Sequence, residues 1–267
     1  MEPVTSGRSI GRQVWNRVPE ITLFFWIIKI LATTVGETAA DYLNDNLGLG
    51  LTNTTWVMTG VLLVALIAQF TRRRYIAAPY WFAVVLISVV GTLITDNLTD
   101  NFGVGLWTTT IGFSIALAAT FIAWYASEGT FSIHTVFTGR RETFYWLTVL
   151  FTFALGTAGG DLIAEQVGLG YWKSALLFAA SIAVVSVAHR LLGLGSIAAF
   201  WMAYVITRPL GASIGDYLAQ PKSFGGLGLG TTNTSIIFLM AILGLVTYLG
   251  ITRIDRTERI APSALEG

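Results

Sequence analysis

Eight apolar runs of about twenty residues follow one another along the chain, and short polar or glycine-rich segments separate them. A run of this length spans the hydrocarbon core of a bilayer when it forms an α-helix. The pattern therefore predicts an all-α integral membrane protein with eight transmembrane helices. The predicted spans lie near residues 20–43, 53–71, 75–98, 105–126, 143–165, 171–190, 195–219 and 233–252.

The odd-numbered runs share a fixed spacing of three residue types. In each of them a tryptophan is followed ten residues later by a glycine, and an aspartate comes five residues after that glycine. Four ungapped copies indicate internal duplication. Because a glycine-rich turn and a returning run follow each copy, we expect four helical hairpins of one orientation, related by pseudo-fourfold symmetry about the membrane normal. The four sets are Trp26/Gly36/Asp41, Trp81/Gly91/Asp96, Trp146/Gly156/Asp161 and Trp201/Gly211/Asp216.

Polar segments and their charges predict the domain organisation and the orientation. Outside the spans, twelve arginines fall on the side of the termini and two lysines on the other side. Such an excess marks the cytoplasmic side, so both termini are expected there. We expect a cytoplasmic N-terminal segment at 1–19, repeats 1 and 2 at 20–126, a cytoplasmic linker at 127–142, repeats 3 and 4 at 143–252, and a cytoplasmic tail at 253–267.

Composition supports the membrane assignment and excludes several functions. The chain is 54% hydrophobic and only 12% charged, with a mean hydropathy of +0.68, whereas a soluble domain has roughly 25% charged residues. A net charge of +1 gives no electrostatic attraction to nucleic acid. The absence of cysteine excludes disulfides and thiolate metal sites. No nucleophile–base set or cofactor fingerprint is present, so we expect no enzyme.

Carboxylates recur near the end of each odd run. Glu37, Asp41 and Asp45 are spaced by four residues and therefore share one helix face. If the odd helices surround an axis, the acids form rings, and carboxylate rings attract and pass cations. Such acids also occur as simple polar markers of a helix end, and that alternative stays open. The equivalent acids in the other copies are Asp96, Asp100, Asp161, Glu165 and Asp216.

Two basic residues fall inside predicted spans. Lys29 lies in the first span and Arg208 in the seventh, at positions that are not equivalent in the repeat. A charge at this depth costs about 3 kcal/mol unless it is paired, so each predicts an acidic partner or an aqueous cavity. We expect them to couple electrostatically to the acids, and the alternative is a pair of salt bridges that fix helix register.

The repeated glycines have a packing interpretation. Small residues let membrane helices approach closely. Equivalent glycines in four helices are therefore expected at the closest helix crossings, with the odd helices inside and the even helices outside. The four positions are Gly36, Gly91, Gly156 and Gly211.

The repeats resemble a bacterial family of uncharacterised membrane-anchored proteins built from tandem copies of a repeat of unknown function. The resemblance rests on the stretch from Lys29 to Leu43, on the later Gly-x₄-Asp motifs and on the Leu-Gly-Leu-Gly turns, and it covers residues 20–252. It implies a multi-pass protein of the bacterial inner membrane and brings no activity with it.

The residues themselves favour a transporter or channel for a small hard cation. Oxygen ligands without cysteine favour Mn²⁺, Mg²⁺, Ca²⁺, Na⁺ or H⁺ over copper or zinc, with Glu37 and Asp41 as candidate metal ligands. The expected partners are the lipid bilayer and the cation, an oligomer is possible, and no cofactor is expected beyond a bound ion. The alternative is a membrane anchor, assembly partner or sensor whose repeats serve as a packing scaffold.

Overall fold

The part of the chain that the structure describes forms eight long α-helices, each long and apolar enough to cross a membrane. A computed structural model describes residues 16–46, 48 and 50–256, without the side chains of Asp45 and Asn46. The side chain of the predicted site residue Asp45 and the outer parts of both predicted terminal segments therefore lie outside the described structure. The helices are α1 (Leu23–Asn46), α2 (Leu51–Phe70), α3 (Ala77–Asp96), α4 (Leu106–Glu128), α5 (Gly139–Asp161), α6 (Tyr171–Leu191), α7 (Ser196–Ala219) and α8 (Thr231–Thr252).

The odd helices form an inner ring and the even helices an outer layer. In the ring, α1 packs against α3 and α7, and α5 packs against α3 and α7, so the four helices enclose an axis. Between 61% and 72% of each odd span is buried, against 17% to 28% of each even span. The sequence prediction of a membrane-spanning bundle with inner odd helices is confirmed, and the exposed aliphatic faces of the even helices are suited to lipid.

Each even helix packs mainly on the odd helix of the following repeat and hardly touches the odd helix of its own hairpin. Thus α2 packs on α3, α4 on α5 and α6 on α7, and α8 returns to pack on α1. The hairpin that repeats in the sequence is therefore not the unit of packing. Because α8 covers α1, the first and last repeats are joined and the ring closes.

The four repeated glycines receive side chains from the next odd helix. A Cβ atom added to Gly36 would fall within the side chain of Ser88, and one added to Gly91 would lie 2.9 Å from the Cβ of Phe153. The residue that fills each gap lies three positions before the next glycine of the ring. The complete cycle pairs Gly36 with Ser88, Gly91 with Phe153, Gly156 with Arg208, and Gly211 with Thr33.

A ring of aromatic side chains closes the axis near the chain termini. The residue before each repeated tryptophan is aromatic, and its ring packs on the tryptophan of the next odd helix. These pairs are Phe25–Trp81 (5.5 Å between centroids), Tyr80–Trp146 (5.4 Å), Tyr145–Trp201 (6.3 Å) and Phe200–Trp26 (5.7 Å). Such contacts stabilise by about 0.5–1.5 kcal/mol each beyond area burial, so this layer holds the ring firmly.

The segments at this end of the bundle, here called the termini end, are tied together by hydrogen bonds. The Asn16 side chain donates to the Ile133 carbonyl oxygen, and the Tyr75 hydroxyl donates to Asp255. Burial raises the pKa of Asp255, and the Tyr75 hydrogen bond partly offsets that rise. The opposite end, with the glycine-rich turns, is called the turn end.

Enlarging a ring glycine is expected to destabilise the fold where the gap is filled. Gly36→Ala overpacks Ser88 and should reduce the free energy of unfolding by about 1–3 kcal/mol. The second change Ser88→Gly should restore part of that loss. Thermal unfolding in detergent, followed by tryptophan fluorescence, measures both.

Gly159 supplies the matched control on a ring helix, because an added Cβ there meets nothing within 4 Å. Gly159→Ala should unfold at the wild-type temperature or slightly above it. Equal destabilisation by Gly36→Ala and Gly159→Ala would contradict the interlocked glycine cycle.

Candidate functional site

A cavity of about 220 Å³ lies on the axis at the turn end, between the four odd helices. Seven carboxylates line it, and every one of them was predicted from the sequence. The acids are Glu37, Asp41, Asp96, Asp100, Asp161, Glu165 and Asp216, with Asn44, Thr99, Gln220, Leu51 and Leu106 completing the wall of this acid cavity. The structure therefore brings the predicted site acids together, apart from Asp45, whose side chain is not described.

The repeat itself positions these acids. The four aspartates lie five residues after the ring glycines, more than one turn beyond the closest crossing, so all four reach the same cavity. In the second and third repeats a π-helical turn follows the aspartate directly, at Asn97–Asn101 and Leu162–Gln166. These wider turns carry Asp100 and Glu165, which are more exposed than the axial acids.

Three of the carboxylates lie close enough together to hold one metal ion. Oxygen atoms of Glu37, Asp161 and Asp216 all lie within 4.8 Å of one another. Two oxygens bound to one Ca²⁺ at about 2.3–2.6 Å lie up to roughly 5 Å apart, so the spacing suits a hard cation of that size. The sequence analysis predicted Glu37 and Asp41 as the metal ligands. Asp41 lines the same cavity but does not belong to the three acids whose oxygens lie within 4.8 Å of one another.

Arg208 lies between the ring helices and contacts Glu37, one of the acids that line the cavity. Its Nη2 donates to Glu37 Oε2 at 3.0 Å and to the Thr157 hydroxyl at 2.7 Å, and it also donates to the Thr92 hydroxyl. Its Nη1 donates to the Thr33 carbonyl oxygen at 3.3 Å. The predicted acidic partner of Arg208 is thus present, and it comes from the neighbouring ring helix α1.

Lys29 lies one helical turn further towards the termini end and has no such partner. Its side chain is fully buried, and its Nζ lies 4.0 Å from the centroid of Phe153 and 3.9 Å from that of Tyr204. Among the described residues no hydrogen-bond acceptor contacts this nitrogen. The prediction of an acidic partner is therefore wrong for Lys29 within the described residues, because the faces of Phe153 and Tyr204 lie against its nitrogen instead.

The axis is filled between Lys29 and the termini end. The rings of Phe153 and Tyr204 stack at an interplanar angle of 2°, and Phe25 and Phe200 pack against Tyr204. Together with the aromatic pairs near the termini these residues form an axial barrier. The acid cavity is therefore accessible from the turn end and closed towards the termini end.

The hydroxyls of Thr92 and Thr157, which the sequence already places near the acids, belong to the site, whereas an ion pair at the termini end was not predicted. Thr92 and Thr157 occupy the position of Glu37 in repeats 2 and 3, so alignment of the repeats alone indicates that all three face one group on the axis. Glu142, at the termini end, is buried and accepts from Arg17, from Gln69 at 3.4 Å and from Trp146 at 3.4 Å. An acid in the first turn of an apolar span was the available signal for this second buried ion pair.

Comparison with known protein families identifies the repeat. The pattern of a family described as "Repeat of Unknown Function (DUF347)" matches four tandem stretches that cover more than half of the chain. The chain belongs to the DUF347 repeat family. The matched stretches are residues 24–75, 79–130, 144–193 and 199–255.

The four DUF347 repeats coincide with the four hairpins, since each match begins near the start of an odd helix and ends after the following even helix. Searches of curated proteins and of solved structures found no match. The family assignment thus defines the DUF347 repeat unit. The asymmetry of the axis follows from the residues that differ among the four copies.

Breaking the Arg208–Glu37 pair is expected to destabilise the bundle. Glu37→Gln leaves a buried guanidinium without its carboxylate, which typically costs about 3–5 kcal/mol. Arg208→Met leaves the buried Glu37 carboxylate without its partner and should cost a similar amount. Unfolding of both single variants and of the double variant, measured by denaturant titration in detergent, gives the pairwise term.

The double variant should be more stable than the sum of the two single losses predicts, because neither charge is then left unpaired. Strict additivity of the two losses would contradict a direct ion pair.

Proposed function

We propose that this protein is a transporter of a small hard cation, with a divalent ion such as Mn²⁺, Mg²⁺ or Ca²⁺ as the best-supported substrate and Na⁺ or H⁺ as the remaining members of the class. The observation that carries the proposal is the acid cavity, where four equivalent helices each place an aspartate on a common axis. Acids within transmembrane segments are costly and typically mark an ion pathway.

The charge of the cavity favours a divalent ion. Seven carboxylates line it, and the Arg208 guanidinium forms an ion pair with one of them, Glu37. Three of the carboxylates converge within 4.8 Å. Convergent oxygen ligands of high negative charge are the usual coordination of Mn²⁺, Mg²⁺ and Ca²⁺.

The closed half of the axis favours a transporter over an open channel. A cation that enters from the turn end meets Arg208, then Lys29, then the axial barrier. Passage therefore requires a rearrangement of the ring helices, as in alternating access, where one part of the bundle moves against another around a central site.

The distribution of arginines supports an orientation. Arg72, Arg73, Arg74, Arg140 and Arg141 lie at the termini end, whereas Lys173 and Lys222 lie at the turn end. By the positive-inside rule the termini end is cytoplasmic. The proposal therefore places the protein in the bacterial cytoplasmic membrane, with the acid cavity facing outwards.

The filled half of the axis supports a second candidate function, a sensor or assembly partner. In that case the cavity binds a cation without passing it on, and the ring of aromatic pairs serves only to hold the helices together. Flux separates this candidate from the transporter, because both predict cation binding and only one predicts transport.

Proteoliposomes that contain the full chain test the proposal. Wild type should move at least one ion of the panel Mn²⁺, Mg²⁺, Ca²⁺, Na⁺ and H⁺ in a saturable manner. The double change Asp161→Asn/Asp216→Asn should reduce that flux by roughly a hundredfold, because a loss of about 3 kcal/mol in ion binding corresponds to that factor.

Glu128→Gln is the matched control, since Glu128 is an acid at the termini end that pairs with Arg140 and Arg141 far from the cavity. It should transport like wild type. Equal flux in wild type and in the Asp161→Asn/Asp216→Asn variant would refute the transport proposal, and binding without flux would select the sensor.

A further inference from the structure

One residue of the acid cavity, Asp216, points to a ligand by its burial as well as by its negative charge. The side chain of Asp216 is among the buried polar groups, with 7% of the residue exposed, and it faces the cavity. Although most of the residue is buried, its carboxylate lines the cavity, and no hydrogen bond is seen from a described side chain to it. Asp216 lies within 4.8 Å of Glu37 and Asp161, so three carboxylates converge at one place in the cavity.

One cation is already present beside these three carboxylates, and it belongs to the chain itself. Arg208 is fully buried, and its Nη2 lies 3.0 Å from Glu37 Oε2. Its stem is fixed where it enters the ring, since it fills the gap at Gly156. Its guanidinium therefore reaches the axis from α7 only. Of the three acids, it contacts Glu37.

We propose that Arg208 is a tethered cation that competes with the transported divalent cation for the Glu37 carboxylate. This inference rests on the proposed function, because it names what regulates occupation of the same site. When the ion binds between Glu37, Asp161 and Asp216, Glu37 is released from the guanidinium. Arg208 then keeps its contacts with the hydroxyls of Thr92 and Thr157.

The asymmetry of the repeats agrees with this role. A symmetric pore has four identical residues at each level, but the level of Glu37 holds Glu37, Thr92, Thr157 and Ala212. Arg208 contacts the first three of these and is the only arginine at its own level, where Thr33, Ser88 and Phe153 occupy the equivalent positions. The one acid at the Glu37 level thus serves two cations in turn.

Mn²⁺ binding to the full chain in nanodiscs, followed by electron paramagnetic resonance of the free ion, tests the competition. Arg208→Gln should bind Mn²⁺ roughly tenfold more tightly than wild type, within the range of about 5- to 150-fold that is typical of coupled sites. Arg208→Lys keeps the charge but loses the planar fork that grips Glu37, so its affinity should fall between the two. This second variant keeps the experiment informative if the glutamine variant does not fold.

Two further variants separate competition for Glu37 from a general charge effect. In a Glu37→Gln background the change Arg208→Gln should no longer tighten binding, because the contested carboxylate is gone. Lys29→Met removes a fully buried basic side chain that does not contact Glu37, and it should tighten binding by less than about threefold.

Each outcome decides a different claim. A similar gain for Arg208→Gln in both backgrounds, or for Lys29→Met and Arg208→Gln alike, would overturn the competition while leaving the cation site intact. Absence of Mn²⁺, Mg²⁺ and Ca²⁺ binding in wild type and in every variant would overturn the divalent site itself, and with it the best-supported form of the proposed function.

Discussion

The structure depends on one repeated contact, in which a side chain from each ring helix enters the gap above a glycine of its neighbour. Membrane helices gain no hydrophobic free energy from association within lipid, so close packing has to hold them together. The cycle from Gly36 through Gly91, Gly156 and Gly211 brings four helices into contact around one axis. The aromatic pairs near the termini repeat the same cyclic order about two helical turns closer to the termini end, and α8 closes the outer layer on α1.

The same contact explains why the axis is asymmetric. The position that fills the gap is occupied by Thr33, Ser88, Phe153 and Arg208, so a shared backbone geometry points four different side chains inwards. Phe153 supplies one of the faces that hold Lys29, and Arg208 reaches Glu37. Packing thus sets the place of each group, and divergence between the copies sets its charge. The outcome is the acid cavity at the turn end and the axial barrier of aromatic side chains towards the termini end.

Much of this arrangement was predictable from the spacing of residues in the chain. Eight apolar runs predicted the spans, and the recurring Trp–Gly–Asp intervals predicted that the odd helices form a ring with aspartates at one level. Spacing along the sequence does not determine which neighbouring helix a side chain meets, since that depends on the rotation and order of the helices around the axis. For this reason neither the packing of each even helix on the following repeat nor the aromatic surroundings of Lys29 followed from the sequence. The partner of Arg208 was open for the same reason, because Asp216 on its own helix was as close in sequence as any acid.

The acid cavity is open at the turn end, and the axial barrier closes the axis towards the termini end. The accessibility of single thiols to a water-soluble reagent measures both properties directly. The chain has no cysteine, so single cysteines placed on α5 report without background. Cysteine at Asp161 lies in the acid cavity, and cysteine at the fully buried Val149 lies beside the axial barrier. A membrane-impermeant methanethiosulfonate reagent applied to right-side-out vesicles should modify Asp161→Cys, and it should leave Val149→Cys unmodified from either side of the membrane. Equal reaction at both positions, or reaction of Asp161→Cys only from the cytoplasmic side, would contradict the account.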